Sequence, residues 1–396
     1  MNFLILSLIK AAIVAGVLLT TLAYLQWIER KVIGHIQLRV GPYRVGPHGL
    51  LQPLADVVKL ITKEGIMPAN VNRLFYLLAP FIAVALALIS ISVIPFGPQI
   101  TIGPVTTYMQ LTDLNVGVLF ILAVSSIGVY GVALGGWASN NKYSLLGGLR
   151  SSAQMISYEL PLALAIAAPL LLVNTLSFRE IVEYQNGYWL GFIPRWNVFP
   201  EILGFSVFLI AAFAETNRVP FDLPEAENEL VAGFHTEYSS MSFAAFFMAE
   251  YANMVTVTAV ATLLFLGGWK APFPEPFSSF IPIAIFGFAG IIAVFHGMQP
   301  ARRKDKYTLP AAGVVFLGLA AIFAASFFVP MAQTILMALF WFCGKVLFLL
   351  FVFIWVRGTL PRFRYDQLMR FAWVVLFPLA MVNLLITALV VALESK

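Results

Sequence analysis

The sequence predicts an all-α, polytopic membrane protein of about ten transmembrane helices, with one amphipathic helix lying along the cytoplasmic side of the membrane. Three observations predict it. The 396 residues are 60% hydrophobic and only 11% charged, with a mean hydropathy of +0.89, which leaves too little polar surface to cover a water-soluble domain of this length. Apolar runs recur along the whole chain, most of them long enough for a hydrocarbon core of about 30 Å. Lys and Arg are distributed very unevenly among the segments between those runs. A net charge of +5 would suggest nucleic acid in a soluble protein, but here it falls in membrane loops, and no nucleic-acid partner is expected.

The candidate spans are about 3–28, 74–95, 114–136, 153–173, 200–214, 241–266, 279–297, 311–329, 333–356 and 371–393. Each closes its own backbone hydrogen bonds, as lipid demands. Residues 1–396 read as a single membrane domain, without linkers, repeats or low-complexity tracts. The first run is followed, not preceded, by its charges, Glu29-Arg30-Lys31, so it reads as a retained helix and not as a signal peptide. With the N-terminus outside, segments 29–73, 137–152, 215–240, 298–310 and 357–370 are cytoplasmic and carry eighteen Lys and Arg, against three (Arg179, Arg195 and Lys270) in the outside loops. That bias sets the orientation.

The first cytoplasmic segment holds ERKVIGHIQLRVGPYRVGP, with Gly-Pro at 41–42 and 46–47, a composition that favours fixed turns. The next stretch, LLQPLADVVKLITKEG, is apolar at 50, 51, 54, 57, 58 and 61 and polar at 52, 56, 59, 63 and 64. That stripe predicts an interfacial amphipathic helix, with Asp56 and Lys59 spaced i,i+3 on its wet face. It serves either as a membrane float or as the roof of an opening at the surface.

The fifth run is short. At 1.5 Å per residue its 15 or so residues cover about 22 Å, so a helix starting at the outer interface leaves Glu215 below the inner surface. Residues 214–240, AETNRVPFDLPEAENELVAGFHTEYSS, hold six carboxylates, Glu215, Asp222, Glu225, Glu227, Glu229 and Glu237, against one cation, Arg218. They are expected to line a wet internal cleft and not a solvated loop. Carboxylates as close as Glu225, Glu227 and Glu229 share protons and titrate as a set. Glu159 and Glu250, the latter beside Tyr251, lie inside apolar runs, where ionisable groups face the protein interior and mark ion or proton paths. Lys10 and Lys345 also lie within runs, and their roles stay open. Cys343 is the single cysteine, and His35, His48, His235 and His296 are far apart. The chain therefore shows no metal site of its own, and it has no dinucleotide fingerprint, Walker loop or nucleophile elbow.

ERKVIGHIQLRVGPYRVGPHGLLQPLADVVKLITKE, GGWASNNKYSLLGGLRSSAQMISYELPL, AETNRVPFDLPEAENELVAGFHTEYSS and LPRFRYDQLMR, in this order, resemble the H-subunit family of bacterial NADH–quinone oxidoreductase, respiratory complex I. The resemblance covers nearly the whole chain. It implies a multi-pass subunit of the bacterial inner membrane that forms the membrane side of a quinone chamber. Arg30, Arg39, Arg218, Phe234 and Arg357 would lie near the quinone path, as would Asp56 on the amphipathic helix. Glu159, Glu215, Asp222, Glu225, Glu227, Glu229, Glu237 and Glu250, with Tyr251, would form a carboxylate path toward the proton-pumping subunits. Arg218 would be the lone cation among them. Quinone would be the substrate, with flavin and iron–sulfur clusters on partner subunits. The partners would be the other membrane-arm subunits, the quinone-site subunits of the hydrophilic arm, and lipid. The family usually has eight helices, so segment 275–332 reads as an inserted pair, peripheral and facing lipid or an accessory subunit. Two other readings of the buried carboxylates remain: a proton-coupled transporter, and the homologous ion-translocating subunit of a membrane-bound hydrogenase.

Overall fold

A computed structural model describes residues 3–102, 105–222, 231–299 and 305–394. Among the described residues nine helices are long and apolar enough to cross a membrane. They are α1 (Phe3–Ile36), α3 (Arg73–Ile91), α4 (Gly117–Ala138), α5 (Lys142–Val173), α8 (Ser240–Phe265), α9 (Phe277–Met298), α10 (Asp305–Ser326), α11 (Pro330–Thr359) and α12 (Tyr365–Glu394), the last with a π-helical turn over Phe371–Leu376. The shorter α7 (Ile202–Glu215) is the tenth apolar element. The amphipathic helix α2 (Gln52–Thr62) and the short α6 (Phe178–Tyr184) complete the helices. Two short antiparallel hairpins, Gln99–Ile102 with Val105–Tyr108 and Tyr188–Trp189 with Ile193–Pro194, add strand that the hydropathy pattern does not signal.

Two helices start or end well beyond the apolar runs that predict them. α1 continues past its last purely apolar turn to Ile36. Its buried face runs Leu18, Leu22, Leu25, Glu29, an i, i+4, i+7, i+11 stripe on one side of a helix. α5 begins at Lys142, capped by the Asn141 side chain, which accepts a hydrogen bond from the Tyr143 amide. Its first turns are rich in Gly and Ser, which allow backbones to meet. A Cβ on Gly148 would stand 3.1 Å from the Gly136 Cα, and one on Gly147 would meet the Gly233 Cα at 2.7 Å.

α7 is only 14 residues long, about 21 Å of rise. Its last carbonyls end inside the bundle, where no lipid group can satisfy them. Gln154 of α5 does so in part: its Nε2 donates to the Ala214 and Phe221 carbonyls, 2.9 Å each. The α7 end and the segment after it are thereby fixed against α5.

The two lysines within apolar helices both turn out to hold loops. Lys345 is buried, and its ammonium donates to the carbonyls of Leu266, Gly268 and Lys270 at 2.6–2.9 Å while lying 4.3 Å from the Trp196 ring centre. Lys10 reaches Thr107 Oγ1 and the Tyr108 and Gln110 carbonyls beside the first hairpin.

α9 and α10, the expected inserted pair, cross closely: a Cβ on Gly313 would come within 2.9 Å of the Gly290 carbonyl, and Gly297 lies under Pro310. The aromatic rings of Phe286 and Phe323 pack on Phe340 of α11 at 5.9 and 5.7 Å. The remaining faces present exposed Phe288, Ile291, Phe295, Val314 and Val315.

Candidate functional site

At the end of the bundle that carries the first long loop, a cavity of about 860 Å³ opens between α1, α8 and the segment after α11. Glu29, Arg30, Ile33 and Arg39 line it from α1 and its loop, Phe247 and Tyr251 from α8, and Arg357 and Arg362 from α11 onward. A second, smaller cavity of about 60 Å³ lies among α3, α4, α5, the end of α7 and α8, with room for a few waters. Glu215, Asn217, Phe234, His235, Glu250 and Asn253 contribute its polar and aromatic lining, and Phe247 borders both cavities.

Arg218 stands between them. Its guanidinium pairs with Glu29 Oε1 at 3.1 Å on the side of the larger cavity and with Glu250 Oε1 at 2.7 Å on the side of the smaller one. The side chains of Arg218 and Glu29 are 6% and 4% exposed. The Arg218 guanidinium lies 4.3 Å from the Tyr251 ring centre, and the Tyr251 hydroxyl donates to Glu29 Oε2 at 2.9 Å. Arg357 closes the group from α11 by pairing with Glu29. Two carboxylates, two guanidiniums and a phenol thus form one cluster, buried except for Arg357 at the wall of the larger cavity. Unit charges 4 Å apart interact by about 4 kcal/mol at an effective dielectric constant of 20, so neighbouring charges within this cluster are coupled to one another.

The chain reaches this arrangement through local geometry. The stripe on α1 turns Glu29 inward. The early end of α7, held by Gln154, lets residues 216–222 re-enter the bundle, and Asn217 takes a left-handed conformation (φ 50) just before Arg218. The Arg218 amide then closes back on the Phe213 carbonyl at 3.2 Å.

The residues singled out in the sequence fall into distinct places. Arg30, Arg39, Tyr251 and Arg357 line the larger cavity, with Arg218 buried behind it and Asp56 held 2.8 Å from Arg30. Asp56 also accepts from Gln52 at 2.9 Å, and its i,i+3 neighbour Lys59 is farther away, at 3.9 Å. Phe234 lies in the smaller cavity and not in the larger one. Glu215 and Glu250 line the smaller cavity, and Glu159 is within electrostatic reach of Glu215 while accepting from Ser126 of α4. Asp222 pairs with Arg362 at 3.1 Å. Glu237 faces a separate surface cavity, where Asn141 donates to it at 2.6 Å. Glu225, Glu227 and Glu229 lie outside the described residues. Burial pushes the His235 imidazole down to about 4, so it sits neutral among the Phe234, Phe243 and Phe247 rings. Arg218 is not the only cation meeting the acidic groups, since Arg357 and Arg362 join it.

Glu29 is the member that sequence reasoning misses. Its place in the charged triplet Glu29-Arg30-Lys31 marks it as the end of a span. Continuing the 18, 22, 25 stripe by four residues finds it.

Fold and site together define a polytopic membrane protein that places a cluster of ionisable side chains between a larger cavity and a smaller one. The chain belongs to the NADH dehydrogenase family, whose model matches residues 9–388. It is 67% identical to the NADH-quinone oxidoreductase H subunit numbered 1 of Solibacter usitatus (strain Ellin6076), over 100% of this chain and 99% of that protein. It is 50% identical to the NADH-quinone oxidoreductase H subunit numbered 2 of Koribacter versatilis (strain Ellin345), over 99% of this chain and 98% of the relative. It is 46% identical to the corresponding H subunit numbered 2 of Geobacter metallireducens, over 99% and 97%.

Proposed function

We propose that the chain is the membrane subunit of a proton-translocating NADH:quinone oxidoreductase in the bacterial inner membrane. In this reading its cavity between α1, α8 and α11 receives a quinone, and the cluster behind the cavity couples quinone reduction to proton movement. One observation carries it: Arg218 paired at once with Glu29 beside the larger cavity and with Glu250 in the smaller one. The N-terminus faces outward, and the basic end of the bundle faces the cytoplasm and the hydrophilic-arm subunits. Those subunits carry the flavin and iron–sulfur clusters and deliver the electrons, and the other membrane-arm subunits pack against this chain's flanks.

The larger cavity suits the ligand. Ile33, Phe247 and Tyr251 offer apolar and aromatic walls for a ring and tail, while Arg30, Arg39 and Arg357 offer donors for quinone oxygens. Electrons arriving on the quinone place negative charge next to a cluster in which Arg357, Glu29, Arg218 and Glu250 are joined in series. The balance between the Arg218–Glu29 and Arg218–Glu250 pairs then shifts. Glu250 and Glu215, facing one small cavity, pass the change on as a proton, with Glu159 next in reach. Glu225, Glu227 and Glu229 extend the same path. The alternative of a proton-coupled transporter is less favoured, because among the described residues no paired broken helices stand at corresponding positions of two halves, as they do in many transporters.

A photoreactive quinone carried by the assembled complex tests the cavity. Crosslinks are expected in residues 26–41, 247–251 or 357–362 of this chain, competed away by unlabelled quinone. Labelling confined to other segments would contradict the assignment.

A further inference from the structure

We propose that the inserted helix pair α9–α10 is a strut that positions the loop between α1 and α2, and through it the entrance of the quinone cavity. This goes beyond the family function and rests on the reading that the larger cavity takes quinone. The pair would otherwise be a peripheral feature, and most of its surface is apolar and exposed. Contacts toward both of its ends tie it inward. Phe286 and Phe323 hold it on α11, the helix that carries Arg357. At the other end of the pair, His48 Nε2 and Thr308 Oγ1 are 2.9 Å apart, joining residues 260 positions apart in the chain.

His48 is well placed to transmit that contact. It occupies a left-handed conformation (φ 50) between Gly46 (φ 72) and Gly49 (φ 79). A side chain in that region is held by its surroundings and not by its own preference. The turn is wound so tightly that a Cβ on Gly49 would lie 2.4 Å from the Pro42 carbonyl oxygen. Tyr43 meets the His48 ring edge-on at 5.4 Å, and Lys31 of α1 lies 5.6 Å from the Tyr43 ring centre. Three residues after Gly49 the chain enters α2, whose Asp56 holds Arg30 at the cavity wall. Thr308, His48, Tyr43 and Lys31 thus form one line of contacts from the inserted pair to α1. The turn that this line fixes sets where α2 begins. His48 and Thr308 are positioning residues: neither lines the cavity, and each acts through the loop.

The test uses the assembled complex in proteoliposomes with Thr308→Val, His48→Ala and the double variant. It measures quinone reduction with a long isoprenoid-tailed and a short-tailed quinone, and hydrogen exchange over residues 42–62. Each single variant is expected to raise KM for the long-tailed quinone about two- to tenfold, the factor of one lost hydrogen bond, with kcat unchanged. Exchange over 42–51 should quicken, the double variant should be no worse than the worse single one, and Thr308→Ser should restore both readouts. Unchanged exchange in Thr308→Val overturns the strut, whatever the kinetics do. Quickened exchange with unchanged KM, or a loss of kcat alone, overturns its role at the entrance. Failure of the quinone reading itself shows separately, as absent photolabelling of the cavity in the unaltered complex.

Discussion

Glu29→Gln in the assembled complex is expected to lower quinone reduction by roughly 10- to 100-fold without loss of the bound partner subunits. Breaking one partner out of a buried ion pair costs about 3–5 kcal/mol, because the remaining charge is left uncompensated. Glu29 is that partner for two guanidiniums, Arg218 and Arg357, and it also receives the Tyr251 hydroxyl. Glutamine keeps the shape and a carbonyl acceptor but removes the charge. Among the described carboxylates Glu250, 2.7 Å away, then keeps Arg218, and the graded competition between Glu29 and Glu250 for that cation is lost. Arg357, with a side chain 37% exposed, has solvent as an alternative partner, so the larger effect falls on Arg218. Turnover measured against the amount of intact complex, with Glu29→Asp as the partial-rescue control, checks this. Wild-type turnover in Glu29→Gln would remove the cluster from the mechanism.

Glu215→Gln is expected to have the opposite profile: electron transfer to quinone continues, while the number of protons moved per electron falls. Glu215 is the last residue of α7 and faces the smaller cavity together with Glu250. It does not line the larger cavity, so quinone binding there is expected to be independent of it. It has Glu159 within electrostatic reach, and Glu159 in turn accepts from Ser126. An amide at 215 cannot take up or release a proton at neutral pH, so a relay through the cavity stops there. Simultaneous measurement of quinone reduction and acidification in sealed proteoliposomes separates the two quantities. An unchanged ratio would take Glu215 off the path.

Much of this architecture can be read from hydropathy and charge, and the places where it cannot are instructive. The ten apolar elements are visible because lipid enforces long apolar runs. The shortness of the fifth is equally visible, and α7 does end at Glu215, beside the smaller cavity. The helix limits are harder to see. α1 runs on through a charged triplet because one of its three charges, Glu29, points into the protein and finds partners more than 180 residues away. α5 starts early because Gly147 and Gly148 meet other backbones and not lipid, which composition reads as a loop. Lys345 is anomalous at its depth until the carbonyls of residues 266, 268 and 270, a loop after another helix, surround its ammonium. In each case the deciding partner is distant in sequence. The individual cavity residues are legible by type, but their division between two cavities is not. Phe234 and Arg357 carry the same expectation in the sequence and stand on different sides of Arg218.

The central claim is that reduction of a quinone in the larger cavity changes the protonation of carboxyl groups behind Arg218. Redox-triggered infrared difference spectroscopy of the reconstituted complex measures this directly, through the carboxylic C=O stretch. A carboxyl band is predicted to appear on quinone reduction in the unaltered complex and to be lost or shifted in Glu250→Gln, with quinone still reduced. A carboxyl region that stays silent, or one identical in the unaltered complex and in Glu250→Gln, would contradict the account.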